Sequence, residues 1–226
     1  PALSQPLVQA DVAIIGAGTA GMTAYRSALA HTPNVRVIED GPYGTTCARV
    51  GCMPSKLLIA AAEAAHAVAA APAFGVHPGP VRIDGQQVMS RVRSERDRFV
   101  GFVLDGVNAI PEEEKLRGHA RFMSPGTLQV DEHTLVEAAS VVIATGSTPI
   151  VPPEWQAAGD RVITSDAVFE WTDLPQSVAV VGSGVIGLEL GQALARLGVR
   201  VTLFARGRKI AQLTDPLVLR EAGAVL

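Results

Sequence analysis

Asp11-Val12-Ala13-Ile14-Ile15-Gly16-Ala17-Gly18-Thr19-Ala20-Gly21 decides the fold. The apolar run Val12–Ile15 reads as a short buried strand, the three glycines as a tight turn, and the alanine-rich stretch Met22–Ala30 as the helix that follows. In a G-x-G-x-x-G frame each glycine has a separate task. Gly16 permits the turn, Gly18 lets backbone N–H groups approach a pyrophosphate, and Gly21 lets helix and strand pack closely. The helix N-terminus then faces the anion. The next apolar run, Val35-Arg36-Val37-Ile38, ends in Glu39, about 20 residues beyond the glycines, where an acid accepts from a ribose hydroxyl.

The pattern returns later in the chain. Val178–Val181 reads as a strand, Gly182-Ser183-Gly184-Val185-Ile186-Gly187 as the turn, Leu188–Leu197 as the helix and Val199–Ala205 as the next strand. Two such units imply two nucleotides. The expected fold is therefore α/β, with two Rossmann-like dinucleotide-binding units, the second incomplete. Residues 1–150 would form the first domain and 151–226 part of the second, with Pro149–Pro153 as linker. Within the first, Leu57–Ala71 and Gln86 to about Ile110 read as a helical hairpin across a Gly/Pro-rich loop. Leu116–Phe122, Thr127–Val130, Leu135–Glu137 and Val141–Ala144 read as a small antiparallel meander returning to a buried strand.

Both cysteines of the chain lie in Gly44-Thr45-Thr46-Cys47-Ala48-Arg49-Val50-Gly51-Cys52-Met53-Pro54-Ser55-Lys56. On a regular helix, Cα atoms five residues apart stand roughly 8 to 9 Å from each other, whereas a disulfide needs them within about 7 Å. A bonded pair in this C-x₄-C frame therefore requires a distorted helix, and Gly51 and Pro54 are placed to distort it. Two buried small residues are the plain alternative. No signal-peptide pattern opens the sequence, which points to the cytoplasm, and two cysteines in a reducing compartment argue for redox work over a structural framework.

Gly-Thr-Thr-Cys-Ala-Arg-Val-Gly-Cys-Met-Pro-Ser-Lys resembles the redox-active motif of the pyridine nucleotide-disulfide oxidoreductases. Its Pro-Ser-Lys ending is most similar to dihydrolipoyl dehydrogenase, with close variants in glutathione and mercuric reductases. The resemblance implies Cys47 as the thiol that attacks a disulfide and Cys52 as the thiol facing the flavin. It implies Thr46 at the FAD pyrophosphate and Lys56 near the flavin ring, where a cation favours a neighbouring thiolate. Thr145-Gly146-Ser147 resembles the segment that closes the FAD domain, and Gly118-His119-Ala120 the backbone that touches the adenine; a plain surface hairpin is the alternative for the latter. Glu189 matches an acid that pairs with the flavin-side lysine, so a Lys56–Glu189 ion pair between domains is expected. In the family a nicotinamide exchanges hydride with the flavin, which exchanges electrons with the cysteine pair.

Gly182, Gly184, Gly187, Glu189 and Arg206 are the candidate NAD(P) contacts. The type of nicotinamide stays open: Ala205, Arg206 and Arg208 suit NADP, while Gly187 suits NAD. The expected activity is oxidation of a dihydrolipoyl group by NAD⁺ through FAD and the cysteine pair. The alternatives are an NADPH-dependent disulfide or mercuric reductase and a non-catalytic nucleotide-binding fragment. The expected partners are a lipoyl-bearing protein or a small disulfide, and the full-length protein is expected to be a homodimer. The sequence reads as the N-terminal part of a longer protein, since Pro1 is no initiator methionine and the family's His-Glu acid–base pair has no counterpart among the five histidines. Alone, such a fragment is expected to hold FAD weakly and turn over poorly, for want of a general acid.

Bulk composition excludes other classes. A net charge of −3 gives no field for nucleic acid, and no His/Cys/Asp/Glu spacing fits a metal. The apolar stretch Leu57–Phe74 is mostly alanine and carries Glu63, His66 and Pro72, so it reads as a soluble helix with no bilayer contact. Arg91, Arg93, Glu95, Arg96, Asp97 and Arg98 read as a solvated helix face.

Overall fold

The computed structural model describes residues 5–207 and 210–225. In chain order its elements are β1 (Leu7–Ile15), α1 (Thr19–Leu29), β2 (Val35–Glu39), α2 (Thr46–Val50), α3 (Cys52–Ala70), α4 (Gly85–Asn108), β3 (Lys115–Arg117), β4 (Ala120–Ser124), β5 (Thr127–Val130) and β6 (Thr134–Ile143), followed by β7 (Ser177–Val181), α5 (Val185–Arg196), β8 (Arg200–Phe204) and α6 (Pro216–Val225). They fall into two compact units. One takes the chain up to Arg49 with Asp97–Ile150; the other takes Val50–Arg96 with the chain from Val151 onward.

The first unit is built on one six-stranded sheet of order β3-β2-β1-β6-β5-β4. β3, β2, β1 and β6 run parallel, and β5 and β4 continue the sheet antiparallel. Alternation along the central strands loads both faces. Ile14, Val35 and Val37 pack with Met22 and Tyr25 of α1 and with Val107 and Ile110, while Ala13 and Ile38 pack with Leu128, Val130 and Val136. A strand buried on both faces reads as a continuous apolar run, which is why Val12–Ile15 is so legible.

Two strands depart from the sequence reading. Leu135–Glu137 and Val141–Ala144 belong to one strand, β6, because the less apolar Ala138 and Ser140 pair in register with Ala10 and Val12 of β1. Leu116–Phe122 is two strands. Gly118, at φ +140°, breaks the run, after which β3 pairs parallel with β2 and β4 pairs antiparallel with β5. A Cβ at Gly118 would stand 2.3 Å from Asp131 Oδ2, so glycine is required there. The antiparallel meander is thus β4–β5–β6, fused edge-on to the parallel sheet.

In the second unit β7 and β8 form a two-stranded parallel sheet, Val178 beside Val201 and Val180 beside Leu203. Its core joins Leu58 and Ala62 of α3, Met89 and Val92 of α4, Phe169, and Leu190 and Leu194 of α5. Two ion pairs flank the seam between α3 and α5: Lys56 with Glu189, and Glu63 with Arg196. The partners advance by seven residues on both helices, so the helices run in the same direction. By length and composition alone Thr46–Phe74 is apolar enough to cross a membrane, with a mean hydropathy of 1.6. Its backbone leaves the helical region at Gly51, and Leu58 and Ala62 are buried in the core just described.

Tyr25 reports on the first unit's packing. Its hydroxyl donates to Glu114 Oε2 at 2.6 Å, and burial, followed by that bond and the negative charge behind it, pushes the phenol up to about 12. Since this lies above the unfolded value of about 10, the stability it lends is complete below pH ~10 and is lost as the pH rises toward the folded value. Ultraviolet titration is expected to show one of the two tyrosines ionising near pH 12, and Tyr25→Phe should remove that step. Tyr25 ionising near the unfolded value of about 10 would contradict the packing.

Candidate functional site: two glycine turns and a cysteine pair

The first turn is closed by backbone. Gly16 N–H donates to Ile38 C=O at 2.7 Å, and at φ +103° a Cβ on Gly16 would stand 2.3 Å from Ala144 O. A Cβ on Gly21 would stand 1.8 Å from Gly16 O. Gly18, the N-cap of α1, differs from both: a Cβ there would meet nothing within 4 Å. Two glycines are used up by the protein's own backbone, and the third leaves open the space that a pyrophosphate would take at a helix N-terminus.

That space opens into a cleft of about 450 Å³. Its walls bring together Gly16, Gly18, Glu39, Thr46, Ala120, Thr145, Gly146 and Ser147, residues drawn from the C-terminal ends of β1, β2 and β6 and the loops that follow β1 and β6, and from the first residues of α2 and β4. Gly21 lies behind the wall and shapes it. The Glu39 carboxylate is fixed by two backbone donors, Ala17 N–H at 2.7 Å and Gly41 N–H at 2.8 Å. Each of its oxygens keeps a lone pair for a hydroxyl.

The cleft wall also includes Asp40, Thr45 and His119, whose side-chain contacts the sequence does not announce. His119 Nδ1 lies 2.9 Å from Asp40 Oδ2, and that hydrogen bond holds the Asp40 carboxyl below the usual carboxylate range. Arg117 donates to Gly41 C=O at 2.6 Å and stacks over the Tyr43 ring at 4.8 Å, fixing the loop after β2. Thr45, at φ +58°, accepts the Ala48 N–H on Oγ1 at 3.2 Å and starts α2.

The helix carrying the cysteines is broken as the spacing requires. Cys47 lies in α2 and Cys52 opens α3, with Gly51 between them at φ −122°, ψ −122°. Pro54 falls in the first turn of α3, where its missing N–H has no helical partner to lose. The first bond of the new helix is Ser55 N–H to Gly51 C=O at 3.2 Å. Both cysteines stand as thiols, Cys47 half-buried and Cys52 exposed, whereas the sequence reading expects a disulfide; thiols are the two-electron-reduced state of such a bond.

The second unit repeats the glycine geometry. Gly182, at φ +117°, donates its N–H to Phe204 C=O at 2.8 Å. A Cβ on Gly187 would stand 2.2 Å from Gly182 O, and a Cβ on Gly184, the N-cap of α5, would meet nothing within 4 Å. Lys56 and Glu189 form the expected ion pair, and both belong to this unit. Arg206 lies in an exposed bend just past β8. Arg208 lies outside the described residues. Among the described residues no group of three His, Cys, Asp or Glu is placed to hold a metal.

A parallel-sheet turn with Gly18 open, repeated at Gly184 in one chain with a C-x₄-C thiol segment, defines an α/β protein with two glycine turns of the dinucleotide-binding form. The family model "Pyridine nucleotide-disulphide oxidoreductase" matches residues 10–223, and the chain belongs to that family. It is similar to mycothione reductase of Mycobacterium tuberculosis (34% identical, 92% of this chain and 46% of the relative). Similar too are dihydrolipoyl dehydrogenase of Bacillus subtilis (32%, 96% and 48%) and mercuric reductase of Serratia marcescens (36%, 87% and 44%). The chain spans about half the length of the curated relatives it matches. Among solved structures, the HOCl-induced flavoprotein disulfide reductase RclA of Escherichia coli superposes with a TM-score of 0.77 at 24% identity, over 95% of this chain and 46% of that one, a likeness of fold.

Proposed function

We propose that the protein is a flavin-dependent dithiol/disulfide oxidoreductase. The observation that carries this reading is the pair of glycine turns, each with its middle glycine open, in one chain with a C-x₄-C thiol segment. FAD would be held by Gly16, Gly18, Glu39, Thr46, Ala120, Thr145, Gly146 and Ser147, with Gly21 shaping the turn and Lys56 on the flavin side. NAD(P) would be held by Gly182, Gly184, Gly187 and Arg206, with Glu189 fixing Lys56. Bound in the first cleft, FAD supplies two-electron exchange between a nicotinamide and the thiols. Cys47 attacks or releases the substrate sulfur, and Cys52 completes the disulfide with it.

Residues 1–150 would then be the FAD domain and 151–226 the first part of the NAD(P) domain. The finer reading is dihydrolipoyl dehydrogenase: a dihydrolipoyl group loses two electrons and two protons, and NAD⁺ takes up a hydride with release of one proton. The Met-Pro-Ser-Lys ending favours it. A second reading, an NADPH-dependent disulfide or mercuric reductase, is favoured by Ala205 and Arg206. The partner is a lipoyl-bearing protein or a small disulfide, the working protein a homodimer, and the compartment the reducing cytoplasm, where thiols persist.

The visible spectrum tests the class. The whole protein, of which these residues are read as the N-terminal part, is expected when supplied with FAD to retain flavin bands through gel filtration and to couple a nicotinamide to a dithiol or disulfide. A colourless protein that binds nucleotides without redox turnover would instead be a binding module.

A further inference from the structure

The first cleft has to hold an anion against a wall that is itself acidic. Of the described residues that line it, Glu39 and Asp40 carry carboxyl groups, and Arg49 is the one Lys or Arg. The His119 hydrogen bond favours the ionised form of Asp40. The Gly18 cradle offers only the partial positive charge of a helix N-terminus. Arg117 is turned to the carbonyls of Gly41 and Asp40 and lies outside the lining. A diphosphate entering the cleft therefore meets one permanent positive charge, that of Arg49.

The arginine is held in place from both ends. Its stem runs over Gly44: a Cβ on Gly44, at φ +113°, would stand 3.1 Å from Arg49 Cδ and 3.0 Å from a Val100 methyl, so glycine leaves the room through which the side chain passes. Its backbone N–H donates to Thr45 C=O at 3.1 Å, and Thr45 and Thr46 line the same cleft. At the far end Nη1 donates to Pro42 C=O at 3.2 Å, in the loop after β2. That acceptor is neutral. It orients the guanidinium, uses one of five N–H donors and leaves the charge unmatched.

Such an arginine could serve as a strut for the loop or as a ligand for phosphate. A strut needs no charge, and the bond to Pro42 is an ordinary neutral-acceptor contact. A planar fork with spare donors matches phosphate oxygens, and a hydrogen bond between ionised partners is roughly twice as strong as a neutral one.

We infer that Arg49 takes a phosphate oxygen of the dinucleotide in the first cleft, adding the full charge that the Gly18 cradle lacks. This rests on that cleft being the flavin site. The test is titration of the whole protein, freed of flavin, with FAD, followed by flavin fluorescence at about 20 mM and about 1 M ionic strength; at the higher salt charges are screened beyond roughly 3 Å. The parent's affinity is expected to fall by about threefold or more between the two, a measurement that needs no variant. Arg49→Met keeps the stem over Gly44 and removes the charge. It should bind FAD about tenfold more weakly than the parent at low salt and within about threefold of it at high salt. Arg49→Lys, which keeps the charge, should stay within about threefold at both. A parent affinity indifferent to salt overturns the assignment. So does a Met variant within about twofold of the parent at low salt, or a loss that salt leaves unchanged, which is the mark of a strut. These results leave the flavin reading standing, whereas a parent protein that takes up no FAD overturns both.

Discussion

Cys47→Ser and Cys52→Ser are each expected to lower dithiol/disulfide turnover by about a thousandfold or more, because a serine hydroxyl neither attacks a disulfide nor closes one. The two variants are expected to differ in colour. With Cys47 gone, Cys52 has no thiol to close a disulfide with, so the long-wavelength band with the flavin that this reading assigns to Cys52 should be present before any reductant is added. With Cys52 gone, that band should never form, even after anaerobic reduction. Both variants should keep the flavin itself, since the first cleft is walled by Gly16, Glu39, Thr46 and Thr145 and by neither sulfur. Turnover within about tenfold of the parent in both variants would remove the cysteines from the chemistry. The same band in both would reverse or erase the division of roles.

What the sequence made legible is what short-range physics controls. β2 falls on Val35–Glu39 as read, because an apolar run ending in an acid after a glycine turn admits few other structures. The glycine roles were readable for the same reason: a tight turn and a close helix approach are local demands. Sheet neighbours were not readable. β3 is three residues long and owes its place to pairing with β2, so Leu116 gave no sign of leaving the meander. β6 runs through Ala138–Ser140 because β1 supplies its hydrogen bonds, and side-chain hydropathy does not record that.

The site divides the same way. Glu39 and the glycines announced themselves by spacing, but Asp40 meets His119 only because β2 and the turn before β4 converge at one end of the sheet, 79 residues apart in sequence. The Lys56–Glu189 contact was available only from resemblance. Its companion, Glu63 with Arg196, follows from the geometry of two helices running in the same direction and was visible only in the structure.

The glycines also separate folding from binding, and here the expected effects are largest on stability. Gly21→Val should cost about 3 kcal/mol or more, because its Cβ would meet a carbonyl oxygen, and neither the turn nor α1 can withdraw without opening the sheet. Gly16→Val should be as severe, since φ +103° adds backbone strain to a 2.3 Å approach to Ala144 O. Gly18→Val faces neither obstacle. Its Cβ enters open space, so thermal unfolding should shift little, within about 1 kcal/mol, while flavin retention falls because the added methyls occupy the room the pyrophosphate needs. The second turn makes the same division: Gly187→Val should destabilise, and Gly184→Val should spare the fold and weaken nucleotide binding. Melting curves and flavin absorbance on the four first- and second-turn variants at positions 18, 21, 184 and 187 read the two effects independently. A Gly18→Val protein that melts like Gly21→Val would mean the middle glycine serves the backbone, and the open cradle would lose its claim as a phosphate site.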